Sequence, residues 1–146
     1  MKYFFFLTAV VLFLSSCGDA GSGNYKKEFK SKTVAGPDDS TFIEWIDPTV
    51  QDLGEAKRGP IMKITYAFEN TGDKPLIIDS VSAGCGCTLF DIPEEPIAPG
   101  KKGKIVVRYD SKDQSLNTVN VRHVDIKANT KPLAYTQLTF TVKLRE

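Results

Sequence analysis

The sequence has few cysteines and histidines, the residue types that cross-link small folds or bind metals. It has three cysteines and one histidine, His123. Two of the cysteines, Cys85 and Cys87, lie one residue apart, and the third, Cys17, lies near the N-terminus. So few cysteines do not make a disulfide scaffold, and a closed zinc site needs about four ligands. The core must therefore come from apolar packing, in a chain of the size of one ordinary domain.

Long apolar runs are also scarce, and the longest is the 12-residue stretch Tyr3 to Leu14. It is too short for a membrane-spanning helix, which needs roughly 20 apolar residues. Lys2 precedes the run, and Leu14-Ser15-Ser16-Cys17 follows it in a pattern that resembles the bacterial lipoprotein cleavage box. We predict that residues 1–16 are a signal peptide and that Cys17 becomes the lipidated first residue. An ordinary secretory signal with an incidental cysteine is the alternative.

Excess charge of either sign is absent as well. Removal of residues 1–16 takes away Lys2 and leaves 18 basic and 18 acidic residues. A net charge near zero predicts no nucleic-acid partner. Residues 17–40 are rich in Gly, Ser and Lys and poor in apolar residues, so we expect a flexible linker between a membrane, reached through the lipid anchor at Cys17, and a folded domain. The expected location is the bacterial cell envelope, facing the periplasm.

Helical periodicity is missing from residues 41–146, whereas strand periodicity is frequent. Residues 62–68 alternate between apolar and polar, as do residues 138–144, which is the period of a strand with one buried face. Turn signals separate about seven such segments, while residues 89–99, broken by three prolines, are expected to be mostly loop or edge. We predict an all-β fold, an immunoglobulin-like antiparallel β-sandwich of about seven strands. A small barrel is the alternative.

Several short motifs occur along the second part of the chain. They are Val50-Gln51-Asp52-Leu53-Gly54, Lys57-Arg58-Gly59, Tyr66 to Leu76, Gly84-Cys85-Gly86-Cys87-Thr88 and Pro96 to Lys101. In this order they resemble the motifs of a bacterial family, the domain of unknown function 1573, although Leu53 stands where an aromatic residue is more usual in that family. The resemblance implies an exported envelope protein, often a lipoprotein, with a single immunoglobulin-like sandwich, and it implies no reaction.

The Cys85-Gly86-Cys87 motif allows three interpretations. The two cysteines form a disulfide whose small ring departs from the preferred Cα separation, which suits thiol–disulfide exchange, with the flanking glycines supplying the backbone freedom that the ring requires. Alternatively, two thiolates on a loop bind a soft metal such as Cu(I). In the third interpretation, which we favour, the pair is a packed or bridged structural turn.

Other motifs point away from catalysis. Asn70-Thr71-Gly72-Asp73 is predicted to be a hairpin turn rather than a calcium loop, and Asp91, Glu94 and Glu95 are predicted to be a solvated acidic surface. No nucleophile elbow or phosphate-binding glycine loop occurs, so we expect no catalytic residue and no cofactor.

The sequence therefore predicts a membrane-anchored envelope lipoprotein whose sandwich is a binding or structural module, with an envelope protein or a polysaccharide as partner. The alternative function is thiol–disulfide exchange or soft-metal binding through Cys85 and Cys87.

Overall fold

The computed structural model describes residues 39–146, and the predicted signal peptide, the lipidation site Cys17 and most of the predicted linker lie outside them. Eight strands and no helix form in this part of the chain. The strands are β1 (Ile43–Trp45), β2 (Val50–Lys57), β3 (Ile61–Asn70), β4 (Ile78–Ala83), β5 (Thr88–Asp91), β6 (Lys102–Asp110), β7 (Val119–Ala128) and β8 (Tyr135–Arg145).

The strands form two four-stranded sheets, with orders β1-β3-β6-β5 and β2-β8-β7-β4. The predicted β-sandwich is confirmed, with eight strands instead of about seven. The additional strand is β5, a four-residue edge strand in the segment assigned to loop or edge. The second sheet is mixed because β2 runs parallel to β8. These strands are far apart in the sequence, so no tight turn imposes an antiparallel arrangement on them.

Alternating residues of both sheets fill the core between them. Strands β3 and β6 bury Ile64, Tyr66, Phe68, Ile105, Val107 and Tyr109, and strands β7 and β8 bury Val124, Ile126, Leu138, Phe140, Val142 and Leu144. The rings of Tyr109 and Phe140 meet edge to face across the sheets, with centroids 5.2 Å apart. The Tyr66 hydroxyl donates a hydrogen bond to the Thr139 carbonyl at 2.9 Å, so its polar tip is satisfied inside the core.

One end of the sandwich is closed by the buried side chain of Asn70. Its Oδ1 accepts hydrogen bonds from the Thr41 hydroxyl at 2.8 Å and the Gly72 amide at 3.2 Å. Its Nδ2 donates to the carbonyls of Lys74 at 2.7 Å and Ile97 at 2.8 Å. We call this end, defined by Asn70 and these four partners, the Asn70 end. These four hydrogen bonds hold Thr41 and the loops that contain Lys74 and Ile97 against the end of β3.

The prediction that residues 70–73 form a hairpin turn is wrong. Strand β3 lies in the first sheet and β4 in the second, so the chain crosses between the sheets here. An isolated bridge between Leu76 and Ile97 holds the crossing segment in place. Turn-forming residues are common to hairpins and crossovers, and the local sequence does not distinguish the two.

At the start of the domain, the Asn129 side chain donates a hydrogen bond to the Asp39 carbonyl at 2.7 Å. Within residues 39–146, no helix is long and apolar enough to cross a membrane.

Candidate functional site

The Cys85-Gly86-Cys87 motif lies where the chain crosses from one sheet to the other. Strand β4 is an edge of the second sheet and β5 an edge of the first, and residues 84–87 connect them. Cys85 and Cys87 are joined by a disulfide. Their Cα atoms are 5.3 Å apart, which is an ordinary separation for a disulfide. The expected departure from that separation is therefore wrong.

The two glycines of the motif adopt ordinary backbone conformations. Neither Gly84 nor Gly86 has a positive φ. A Cβ atom built on either would meet nothing within 4 Å among the described residues. The expectation that the ring needs glycine for backbone freedom is therefore wrong for the bridged form. A side chain at either position would therefore point into open space.

The hydroxyl of Thr88 lies next to both sulfur atoms. Thr88 Oγ1 is 3.5 Å from Cys85 Sγ and 3.8 Å from Cys87 Sγ. A disulfide sulfur carries no proton, so the single hydroxyl proton of Thr88 is the only donor that these two contacts can share. Thr88 is buried, whereas both cysteines are partly exposed. The Cys87 carbonyl accepts the Asp110 amide at 2.8 Å, which fixes this end of the turn to β6.

A groove of about 400 Å³ opens beside the bridge. We call it the disulfide groove. Cys87 and Gly86 form one wall, and two apolar side chains, Ile61 and Leu89, stand 59% and 61% exposed along it. The complete lining consists of Ile61, Gly86, Cys87, Leu89, Arg108, Asp110, Asp113 and Gln114.

The groove lies across the outer face of β3, β6 and the edge strand β5, and charged side chains surround it. Among the described strands, only β6 pairs with β5, so the other side of β5 has no partner strand. Arg108 binds Asp91 at 2.7 Å, which leaves its charge neutralised within the protein. Asp110 and Asp113 form no ion pair within residues 39–146, and both are exposed. The groove therefore combines apolar surface with an acidic rim.

Near the disulfide groove, several buried polar atoms lack hydrogen-bond partners. The Tyr109 hydroxyl, the Arg108 Nε and the Arg122 Nε are buried without a hydrogen-bond partner among the described residues. The Arg122 guanidinium lies over the Tyr109 ring, 5.4 Å from its centroid, and donates to the Gln114 amide oxygen in the groove lining. Burial raises the pKa of the Tyr109 hydroxyl, and the nearby Arg122 charge partly offsets this effect.

The remaining sequence-predicted positions lie apart from a common site. His123 is exposed on β7, and its Nδ1 is 3.1 Å from the Thr139 hydroxyl. Asp91 is engaged by Arg108, whereas Glu94 and Glu95 are exposed. In residues 39–146, no group of three or more His, Cys, Asp or Glu side chains is placed to hold a metal ion. Bridged cysteines also offer no thiolate, so Cu(I) binding would first require reduction.

Sequence reasoning found the cysteines but missed the groove. Ile61, Leu89, Arg108 and Asp113 come from separate segments that only the sheet pairing brings together. Residues Thr88 to Asp91 have two adjacent apolar residues, Leu89 and Phe90, so the sequence shows no strand period there. The alternation of buried and exposed positions that puts Leu89 on the outer face is visible only in the structure.

Solved structures resemble the chain in fold. A protein of unknown function from Porphyromonas gingivalis W83 has a TM-score of 0.63 at 18% identity, with coverage of 72% of this chain and 47% of that chain. The ASH/PapD-like domain 7 of human CEP192 has a TM-score of 0.58 at 10% identity, with 79% and 92% covered. The secreted serine protease VesC from Vibrio cholerae has a TM-score of 0.53 at 12% identity, with 71% and 23% covered.

These likenesses show the fold alone. The chain spans about half the length of the P. gingivalis protein and about a quarter of VesC. No curated protein matches the sequence. The family described as "Protein of unknown function (DUF1573)" matches residues 43–144, and the chain belongs to this family.

Proposed function

We propose that the protein is a lipoprotein anchored through Cys17 to a bacterial envelope membrane, and that its sandwich binds an extended segment of another envelope protein in the disulfide groove. The observation that carries the binding proposal is the groove across the outer face of β3, β6 and the edge strand β5, with Ile61 and Leu89 exposed in it.

The form of the site favours an extended polypeptide. An edge strand offers unpaired backbone groups to a partner strand, and neighbouring pockets take alternate side chains of that partner. Leu89 and Ile61 would contact an apolar side chain, and the Asp110 and Asp113 carboxylates would attract a basic one. The expected partner segment is therefore an extended strand with apolar and basic residues. A polysaccharide is the competing occupant.

A photo-activated cross-linking residue at position 89 tests the binding proposal in the full-length protein within its own envelope. Position 133 is the matched control, because Leu133 is also an exposed leucine, 70% exposed, in the turn before β8. We expect a discrete protein adduct from position 89 and none from position 133. Adducts of equal yield at both positions, or a polysaccharide adduct at position 89, would contradict protein binding in the groove.

The anchor has its own test. The Cys17→Ala variant should move from the membrane fraction to the soluble fraction, whereas Cys85→Ser should stay with the membrane. Full membrane retention of Cys17→Ala would contradict the lipoprotein proposal and leave the groove proposal untouched.

A further inference from the structure

We propose that the Cys85–Cys87 disulfide exchanges with a thiol of a peptide in the disulfide groove, with Cys87 as the attacked sulfur and Cys85 as the leaving sulfur. Thr88 donates a hydrogen bond to the departing sulfur. This inference rests on the proposed function for the groove, and it adds a chemical step that binding alone does not require.

Access distinguishes the two sulfurs. Cys87 forms part of the groove wall, and Cys85 does not. Gly86 lies between them without a side chain, and a Cβ atom there would meet open space. Exchange requires a thiolate to approach the attacked sulfur, so steric access selects which one is attacked. A thiol held in the groove therefore meets Cys87 first.

The hydrogen-bond geometry selects the same direction. Thr88 Oγ1 is nearer to Cys85 Sγ, at 3.5 Å, than to Cys87 Sγ, at 3.8 Å. When Cys85 leaves it carries a full negative charge, and a hydrogen bond to an ionised acceptor is stronger than one to a neutral acceptor. The buried Thr88 hydroxyl therefore stabilises the product of attack on Cys87 more than the starting disulfide.

The reaction balances with a dithiol peptide as reductant. A peptide thiolate attacks Cys87 Sγ, the Cys85–Cys87 bond breaks, and Cys85 leaves with the electron pair and takes a proton from water. The second peptide thiolate then attacks the peptide sulfur of the mixed disulfide and releases Cys87 as a thiolate, which is protonated in turn. The peptide loses two electrons and gains a disulfide, and the protein gains two thiols.

The groove charge adds a preference among substrates. Asp110 and Asp113 are exposed at its rim, so a cysteine flanked by basic residues approaches more readily than one flanked by acidic residues. Salt screens exposed charges, so this preference should shrink as the ionic strength rises.

The first test maps the attacked sulfur in the oxidised full-length protein. A synthetic peptide with one cysteine between two lysines is added, the reaction is stopped with acid, and the freed thiol is alkylated and located by mass spectrometry. We expect the peptide on Cys87 and the alkyl group on Cys85 in at least a tenfold excess over the reverse. An equal distribution, an excess on Cys85, or opening no faster than unfolding would overturn the proposal.

The second test removes the hydrogen-bond donor. Thr88→Val should slow opening by about tenfold, which corresponds to the loss of about 1.4 kcal/mol from the transition state. It should also raise the pKa of the Cys85 thiol in the reduced protein. Thr88→Ser should restore the rate to within about threefold, and Thr65→Val, at an exposed position on β3, is the matched control. An unchanged rate and pKa in Thr88→Val would overturn the role of Thr88.

A peptide with glutamates in place of the lysines separates this inference from the proposed function. If only the lysine peptide reacts rapidly at low salt, both proposals are supported. If both peptides react equally at Cys87, exchange is supported and recognition by the groove is contradicted. If neither reacts while position 89 still cross-links a protein, exchange is overturned and binding is supported.

Discussion

The Asn70 end and the disulfide groove lie at different places along the same sandwich and are built differently. At the Asn70 end, a fully buried amide makes four hydrogen bonds. Beside the groove, two large apolar side chains face solvent, and buried polar atoms of Tyr109, Arg108 and Arg122 lack partners among the described residues.

This difference separates a part of the molecule that holds the fold from a part that is available for contact. A buried polar group with all its bonds made stabilises one arrangement of the chain, and removing it leaves its partners unsatisfied. Exposed apolar surface beside a sheet edge contributes little to stability and gains free energy when a partner covers it. The Cys85-Gly86-Cys87 motif lies in the part that is available for contact.

The largest effect is expected at Asn70. Asn70→Ala removes both donors and the acceptor from a buried site, so the free energy of unfolding should fall by about 4 kcal/mol. Asn120→Ala is the control, because Asn120 is also buried but donates only to Ser115 and Thr118 carbonyls, and about 2 kcal/mol is expected. Denaturant titration measures both losses. If Asn70→Ala lowers the free energy of unfolding no more than Asn120→Ala does, the claim that the Asn70 end holds the fold is contradicted.

The two buried tyrosines sharpen the comparison at high pH. Burial raises the pKa of Tyr66 to about 12, above the ordinary value near 10 that applies in the unfolded chain. Stability from the protonated hydroxyl is therefore complete below pH 10 and is lost as the pH rises toward 12, by about 3 kcal/mol in total.

Denaturant titrations from pH 9 to pH 12 should show this fall. Tyr66→Phe should abolish this fall, and Tyr109→Phe should abolish a further, smaller fall, because burial also raises the pKa of Tyr109. At neutral pH, Tyr66→Phe should cost about 1 kcal/mol because it removes the hydrogen bond to the Thr139 carbonyl, while Tyr109→Phe should be nearly neutral because its hydroxyl has no partner among the described residues. An identical pH dependence in all three proteins would contradict the assignment to tyrosine.

Substitutions at two glycines, Gly72 at the Asn70 end and Gly86 at the disulfide groove, should also differ in their effect on the free energy of unfolding. A Cβ atom on Gly72 would lie 2.1 Å from Thr41 Oγ1 and 2.7 Å from the Phe42 amide nitrogen. Gly72→Ala should therefore lower the free energy of unfolding by about 2 kcal/mol, while Gly86→Ala should change it by less than about 0.5 kcal/mol. Thermal unfolding of the two variants compares them directly, and equal shifts in Tm would contradict the difference between the two ends.

Much of the fold was predictable because the strands alternate. Strand β3 has Ile64, Tyr66 and Phe68 on one face, and β8 has Leu138, Phe140 and Val142, so period-two patterning located both. The pairing of β2 with β8 and the crossing after Asn70 depend on contacts between distant segments, which local propensity does not encode. For the same reason, the prediction of a hairpin at residues 70–73 is wrong.

The candidate site was predictable only at its most distinctive residues. Two cysteines between glycines are conspicuous in any sequence, whereas Leu89 and Arg108 look like ordinary strand residues until β5 and β6 are paired. The role expected of Gly84 and Gly86 was wrong because glycine is compatible with ordinary φ as well as positive φ. The sequence alone does not distinguish a glycine that needs a positive φ from one that does not.

The central claim is that the disulfide groove and its bridge serve contact with a partner rather than stability. The most direct test compares the free energy of unfolding of the full-length protein before and after reduction by a small dithiol. Loss of a bridge that closes a loop of three residues should lower it by about 1.6 kcal/mol. The account predicts a reduced protein that remains folded at 25 °C with a loss of this size, well below that of Asn70→Ala. Unfolding of the domain upon reduction would contradict it and identify the bridge as a structural element of the sandwich.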